Sequence, residues 1–121
     1  MKQFLAIYTG TPASMSKWDA LPEQEKNKRQ AAGIAAWHAW VEKNKHSIVE
    51  TGSPLGKTKS VSASGIADIR NNIAAYTVVQ AESHEAAARL FENHPHFTIF
   101  PGDGVEIMEC LPVPGPQRSR H

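Results

Sequence analysis

The sequence predicts an α+β fold, in which helices cover one face of an antiparallel sheet. Short apolar runs at residues 3–9, 73–81 and 105–111 are typical of strands. Two longer segments, 22–45 and 83–93, instead repeat their apolar residues with helical spacing. Because 40% of the 121 residues are hydrophobic, the chain has the composition of an ordinary globular domain.

The first half begins with a strand and a long helix. Residues 3–9 form the strand, whereas 14–21 is ambiguous and is compatible with a short turn of helix around Trp18. The helix at 22–45 is predicted by Pro22 at its first position and by acidic residues in its first turn. Its apolar stripe consists of four residues, Ile34, Trp37, His38 and Val41. Trp40 lies to one side of this stripe, where we expect an interface or a pocket wall rather than the centre of the core.

The middle of the chain combines short strands with turns. Residues 47–50 are predicted to form a short strand, closed by a turn rich in Gly and Pro. Alternating residues at 59–65 predict an edge strand with Val61 directed inward, and the polar segment 68–72 is predicted to be a loop. A buried strand at 73–81 follows.

The second half contains a shorter helix and the last strand. Ser83 suits the N-cap of the helix, whose inner face is formed by Ala86, Ala87, Leu90 and Phe91. We expect Pro95 to stop this helix. Cys110 lies in the apolar run of the last strand, so we expect a buried and unreactive thiol.

The elements follow the order β-α-β-β-α-β with one extra hairpin piece, which is the ferredoxin-like plan. Two helices cover one face of such a sheet, and the apolar strands require cover on the other face as well. A homodimer that packs sheet against sheet would provide it with two-fold symmetry. We expect one domain over residues 1–114 and a flexible, proline-rich tail over 115–121.

Charge and composition exclude several classes of function. The formal net charge is +1, so the chain has no strong electrostatic footprint for nucleic acid or an anionic membrane. No run approaches the roughly 20 apolar residues of a membrane span, and the first apolar run is too short for a secretory signal, which predicts a cytoplasmic protein. One cysteine excludes an intrachain disulfide. Without a nucleotide, flavin or nicotinamide motif, no cofactor is predicted.

Four segments together resemble the YCII-related family in the same order and spacing: "AAWHAWVEKN", "ETGSPLG", "AAYTVVQAESHEAAARLFENHPHF" and "GVEIMECLPVP". The resemblance covers about residues 4–114 and is greatest to the branch with a Trp-x-x-Trp helix and a Gly-x-Pro-Leu turn. It implies a dimeric α/β barrel of two ferredoxin-like subunits, with a pocket between the helical layer and the sheet. It also implies that His38, the helix histidine, pairs with an acidic residue. The position before the proline, often acidic in that group, is His94 here, and only Asp68 could replace the aspartate of a sister branch.

His38, Asp68 and His94 are therefore the candidate catalytic residues. An unperturbed imidazole titrates at about pH 6.5, so His38 could act as a general base near neutral pH. It would need an orienting partner, which Asp68, His94 or His96 could be. The competing interpretation is a core histidine hydrogen-bonded to backbone.

His94 and His96 flank Pro95 where the chain leaves the second helix. We interpret this stretch first as a helix stop, second as pocket lining and third as part of a metal site. Zinc sites need three or four protein ligands, so His38, or alternatively a carboxylate from Asp68 or Glu109, would have to join these two histidines, and no metal site is predicted.

Trp37, Trp40, Tyr76 and His96 are the candidate binding residues. The tryptophans could form an aromatic wall for a flat small molecule, or they could serve the core and a dimer contact instead.

Three functions are compatible with these residues. The first is a small-molecule enzyme or enzyme-like binder with a His-centred acid–base pocket between the first helix and the sheet and an unidentified substrate. By analogy of fold, its chemistry would be proton abstraction or lactone-type isomerisation or hydrolysis. The alternatives are a non-catalytic dimeric module for ligand sensing or interaction, and a cofactor-free monooxygenase on the same fold.

Overall fold

The computed structural model describes residues 1–114. The expected tail at 115–121 lies outside these residues. Over the described chain, strands and helices follow in the order β1 (Lys2–Thr9), α1 (Pro12–Asp19), α2 (Glu23–Lys43), β2 (Ile48–Glu50), β3 (Thr58–Ser62), β4 (Gly65–Ile69), β5 (Ile73–Ala81), α3 (His84–Arg89), α4 (Pro95–Thr98) and β6 (Gly104–Glu109).

Four of the strands form one antiparallel sheet in the order β2-β5-β1-β6. β1 is central, with Phe4 opposite Val79 of β5 and Ala6 opposite Ile107 of β6. The first strand of the chain thus lies between the last two strands, β5 and β6, which is the ferredoxin-like arrangement. The predicted α+β, ferredoxin-like fold is confirmed.

The core lies between this sheet and the helices. Phe4, Ala6 and Tyr8 alternate along β1 and are buried, because successive side chains of a strand point to opposite faces. Ala87 and Phe91 cover them from the second half of the chain, as predicted. Trp40 packs against this core from α2, and its indole N–H donates to the Leu90 carbonyl at 2.7 Å.

Helix α2 packs closely against the segment that follows α4, through a contact at Gly33. This glycine is buried beneath the ring of Phe100, and a Cβ at this position would overlap that ring. Ile34 and His38 of the predicted apolar stripe are exposed, whereas Trp37 and Val41 are half-buried. His38 is therefore not a core histidine, and that interpretation is wrong.

The segment around residues 58–69 forms a separate two-stranded hairpin. Asp68 lies in β4 opposite Lys59 of β3, so the prediction of a loop starting at residue 68 is wrong. Val61 is 76% exposed, because the hairpin stands away from the main sheet and has no covered face. The expectation that Val61 points inward is also wrong.

Two further expectations near the end of the described chain are corrected. Helix α3 ends at Arg89, and Pro95 begins the short helix α4 instead of stopping a longer one. Proline fits there because the first helical N–H needs no partner within the helix. Cys110 is exposed rather than buried, since it follows the last residue of β6.

Within residues 1–114, no helix is both long enough and apolar enough to cross a bilayer.

Candidate functional site

A cavity of about 450 Å³ opens between α2, the sheet and the segment around α4. Its size is in the range of small-molecule sites. The walls are mainly apolar and aromatic, and five titratable side chains border the cavity: Tyr8, His38, Tyr76, His94 and His96. The residues that matter for its chemistry are Tyr8, Trp37, His38, Thr77, His94, His96 and Phe100.

The phenol of Tyr8 lies at the floor of the cavity. Its oxygen is 2.9 Å from Thr77 Oγ1 and 3.3 Å from His94 Nε2. The Thr77 hydroxyl donates to the Thr51 carbonyl at 2.9 Å, so its oxygen is left to accept the Tyr8 proton. Burial raises the pKa of Tyr8, although the hydrogen bond to Thr77 and the indole of Trp37 act in the opposite direction. The phenol is therefore protonated at neutral pH.

His94 is buried, with only 1% of its surface exposed. The backbone N–H of His96 donates to its Nδ1 at 3.0 Å, which requires a lone pair on that nitrogen. The neutral ring must then carry its proton on Nε2, from which it donates to Tyr8. Burial and the nearby His96 lower the pKa of His94 to about 4, so the ring is neutral at pH 7. Both of its nitrogens are occupied by partners within the chain.

His96 differs from His94 in having one nitrogen without such a partner. Its Nε2 is 2.7 Å from the carbonyl oxygen of Thr9, which can only accept, so Nε2 carries the proton. Nδ1 of the neutral ring then has a lone pair, and within residues 1–114 it makes no hydrogen bond. Burial lowers the pKa of His96, and this is opposed by the bond to Thr9 and by the charge of Asp103.

Local sequence explains how the two histidines are positioned. Asn93 takes a positive φ of 57°, a conformation that Asn tolerates better than most residues, and this reverses the chain after α3. His94 is then the N-cap of α4, and Pro95 is its first residue. The N-cap function accounts for the bond between His94 Nδ1 and the N–H of His96.

A loop closes over His96 from the other side. Gly102 donates its N–H to the His96 carbonyl at 2.9 Å, and a Cβ on Gly102 would overlap the imidazole. The next residue, Asp103, accepts hydrogen bonds from the Ser14 hydroxyl and from the Thr11 N–H, the latter at 2.6 Å. These bonds hold the pKa of Asp103 below its ordinary value. Asp103 thus anchors the loop to the start of α1 and places a negative charge near His96.

The structure brings most of the predicted site residues to this cavity. Trp37, His38, Tyr76, His94 and His96 all border it. The hydroxyl of Tyr76 is engaged, since it donates to Glu50 at 2.7 Å.

Two predicted residues do not border the cavity. Trp40 lies behind it, with its ring centroid 4.6 Å from that of His94. Asp68 is on the exposed hairpin and is paired with Lys59 at 2.6 Å, so it does not orient His38 from within the cavity.

Tyr8, Thr77 and Asp103 were missed by the sequence analysis. The sequence does contain a signal for Tyr8, because it continues the alternation of Phe4 and Ala6 along the first strand. Tyr8 therefore lies on the buried face of the sheet, where its hydroxyl needs a hydrogen-bond partner. Asp103 had no such signal, because its partners Thr11 and Ser14 are distant in sequence.

Among residues 1–114, no group of three His, Cys, Asp or Glu side chains is arranged to hold a metal ion. This includes His38, His94 and His96 with the carboxylates considered above.

No protein-family model and no curated protein matches the chain. Among solved structures, it is similar to 5-chloro-2-hydroxyhydroquinone dehydrochlorinase (TftG) from Burkholderia phenoliruptrix AC1100, determined in complex with 2,5-dihydroxybenzoquinone. The TM-score is 0.51 at 19% sequence identity, over 87% of this chain and 89% of the other. At this identity the likeness concerns the fold, and the chain shares the α+β, ferredoxin-like fold of that enzyme.

Proposed function

We propose that the chain is a YCII-related small-molecule enzyme that binds a flat ring in the cavity and transfers a proton through His96. The observation that carries this proposal is that His96 borders an apolar cavity and that its Nδ1 makes no hydrogen bond within residues 1–114. Its ring is fixed by the Thr9 carbonyl, and its lowered pKa keeps the lone pair available near neutral pH. A positioned base of this kind is what general base catalysis requires.

The other histidines take different roles in this proposal. His94 is a positioning residue, because both ring nitrogens are engaged and it caps the helix that carries His96. His38 is the exposed imidazole at the cavity, and it donates or returns a proton to the bound molecule. Asp68 takes no part in the proton step, since Lys59 engages it outside the cavity.

The substrate class follows from the walls. Trp37 and Phe100 offer aromatic surface, and aromatic rings pack favourably against each other in offset or edge-to-face geometry. The structural neighbour was solved with 2,5-dihydroxybenzoquinone, a flat hydroxylated ring. A hydroxylated six-membered ring is therefore the first class to test. His96 Nδ1 would take a proton from such a ring, and His38 would return one at a different atom, which is a tautomerisation without net oxidation.

We also propose that residues 1–114 form one domain that works as a homodimer. On the sheet face opposite the helices, Leu5, Ile7 and Val78 are only half-buried and Met108 is 43% exposed. An uncovered apolar face of this kind marks an interaction site. Sedimentation equilibrium tests the assembly, and Leu5→Lys should shift a dimer to the monomer.

Proton exchange tests the catalytic proposal directly. The ring hydrogens of 2,5-dihydroxybenzoquinone exchange with D₂O only if a proton is delivered to carbon and another is removed. We expect the protein to accelerate this exchange, followed by proton NMR, and His96→Gln to abolish the acceleration. His46→Gln, which changes an exposed histidine outside the cavity, is the matched control.

The outcomes separate the alternatives. Binding of the quinone without faster exchange would remove the catalytic role and leave a ligand-binding module. Absence of binding, measured by quenching of tryptophan fluorescence, would contradict the proposal as a whole.

A cofactor-free monooxygenase is the second candidate, favoured by a cavity large enough for an aromatic ring and lined mainly by apolar groups. It predicts that dissolved oxygen is consumed in step with a bound hydroquinone, which an oxygen electrode measures. The tautomerisation proposed above consumes no oxygen.

A further inference from the structure

A second and larger cleft adjoins the cavity. It has a volume of about 1280 Å³ and lies between the β3–β4 hairpin, the start of α1 and the loop at residues 100–102. Ala74, His96 and Phe100 border both spaces. The two spaces therefore adjoin at the proposed base.

The charges that line this cleft are unequal. Lys57, Lys59 and Arg70 contribute three positive charges, and Asp68 contributes one negative charge. Lys59 and Asp68 neutralise each other at 2.6 Å. Within residues 1–114, neither Lys57 nor Arg70 has a carboxylate within 4.0 Å, so two cations at the wall are uncompensated.

Neutral hydrogen-bonding groups lie between these cations. Thr58, Asn71 and Asn72 border the same cleft. Asn71 is held in place, because its Oδ1 accepts from the Ile73 N–H at 3.0 Å and its Nδ2 contacts Thr58 Oγ1 at 3.4 Å. Hydroxyl and amide groups beside a lysine and an arginine are the usual surroundings of a bound carboxylate.

We infer that the ring compound bound in the cavity carries a carboxylate arm, and that Lys57 and Arg70 bind this arm in the adjoining cleft. The inference rests on the proposed function and names the substrate class of that same site. Arginine is suited to this role because its planar guanidinium can donate two parallel hydrogen bonds to one carboxylate. An arm held there fixes the ring beside His96, where the two spaces join.

A pair of probes with the same ring tests the inference. Hydroquinone has only the ring, and 2,5-dihydroxyphenylacetate adds a carboxymethyl arm to it. We expect isothermal titration calorimetry to show about tenfold tighter binding of the acid, as one charge-assisted contact provides. This advantage should shrink with added salt, because both cations are exposed.

The variants locate the effect. Lys57→Gln combined with Arg70→Gln should remove the advantage of the acid and leave the affinity for hydroquinone unchanged. Lys28→Gln combined with Arg89→Gln removes the same charge outside both spaces and should preserve the advantage. If the double variant does not fold, Lys57→Gln and Arg70→Gln are measured singly, and each should reduce the advantage of the acid.

Failure of the inference is distinguishable from failure of the proposed function. If hydroquinone binds and the acid binds no tighter, the carboxylate arm is excluded and the ring pocket stands. An advantage that survives in Lys57→Gln/Arg70→Gln would also overturn the assignment. If neither probe binds, the ring pocket and the arm are both rejected.

Discussion

The backbone N–H of His96 donates to Nδ1 of His94 at 3.0 Å, and this single bond sets the direction of a buried hydrogen-bond chain. His94 must donate through Nε2 to Tyr8, which donates to Thr77, and Thr77 donates to the carbonyl of Thr51. Every donor in this chain has an acceptor, so the cavity floor is neutral and ordered. Polar networks that are fully satisfied in this way rigidify the groups they join.

The buried state of His94 predicts that stability depends on pH. The pKa of His94 is about 4 in the folded protein, below the ordinary 6.5 that applies to the unfolded chain. As the pH falls, the unfolded chain binds this proton first. The contribution of neutral, buried His94 to the free energy of unfolding is therefore complete above about pH 6.5 and is lost as the pH falls towards 4. Its magnitude is about 3 kcal/mol.

Urea denaturation at a series of pH values measures this dependence. His94→Gln cannot be protonated, so the difference in unfolding free energy between wild type and variant should narrow between pH 6.5 and 4. Titrating groups that do not interact with residue 94 cancel in the difference, whereas His96, which does, is checked by measuring His96→Gln in the same way. Parallel curves for the two proteins would show that His94 is not the group responsible.

The hydroxyl of Tyr8 should contribute more to the free energy of unfolding than the hydroxyl of Tyr76. Tyr8→Phe leaves the His94 Nε2–H without its acceptor and the Thr77 oxygen without the proton that it accepts from Tyr8, both in a buried place, which costs about 1–3 kcal/mol. Tyr76→Phe removes only an exposed hydrogen bond to Glu50 and should change stability by at most about 0.5 kcal/mol. Denaturant titration of both variants compares them, and equal losses would contradict the buried network.

The fold was predictable because its signals are local. Strand β5 was predicted at Ile73–Ala81 and is found there, since its apolar run has the length of a strand and follows a polar turn. The long helix was predicted to within two residues at either end, from Pro22 at its start and from the helical spacing of its apolar residues. The hairpin was less predictable, because Val61 has the alternation of a covered strand although nothing in residues 1–114 covers it.

The site was predictable only in part, because its contacts join distant parts of the chain. Tyr8 and His94 are 86 residues apart, and no periodicity reports such a contact. His94 and His96 were found because Pro95 marks the segment. Asp68 has the right chemistry for a partner of His38, but the register of the hairpin places it opposite Lys59.

Gly102 lies in close contact with the His96 ring, so a side chain at position 102 should reduce the activity of the site more than the stability of the protein. In Gly102→Ala, the new Cβ would overlap the imidazole, so the ring must leave its bond to the Thr9 carbonyl. We expect quinone binding and ring-proton exchange to fall at least about tenfold, the loss that one positioned contact explains. Gly104→Ala is the control, because a Cβ there meets no atom within 4 Å. Retention of full exchange activity by Gly102→Ala would show that the position of the His96 ring is not required.

The turn after β2 predicts a contrast between two glycines that sequence alone does not distinguish. Gly52 has a φ of +74°, which L side chains rarely adopt, and a Cβ there would overlap the carbonyl oxygen of Tyr76. Gly56 has open space around it and no such φ. Gly52→Ala should therefore destabilise by about 2–4 kcal/mol, whereas Gly56→Ala should leave stability unchanged or raise it by up to about 1 kcal/mol.

Thermal and urea unfolding of the two alanine variants measure this contrast. Gly52 also borders the cavity, so the displaced turn in Gly52→Ala should weaken ring binding in the fraction that stays folded. A destabilisation of equal size in Gly56→Ala would contradict this account, because Gly56 has open space around it and the loss of glycine flexibility in the unfolded chain should stabilise the protein. The greater loss at Gly52 would show that the close approach of this turn to β5 is what shapes that side of the cavity.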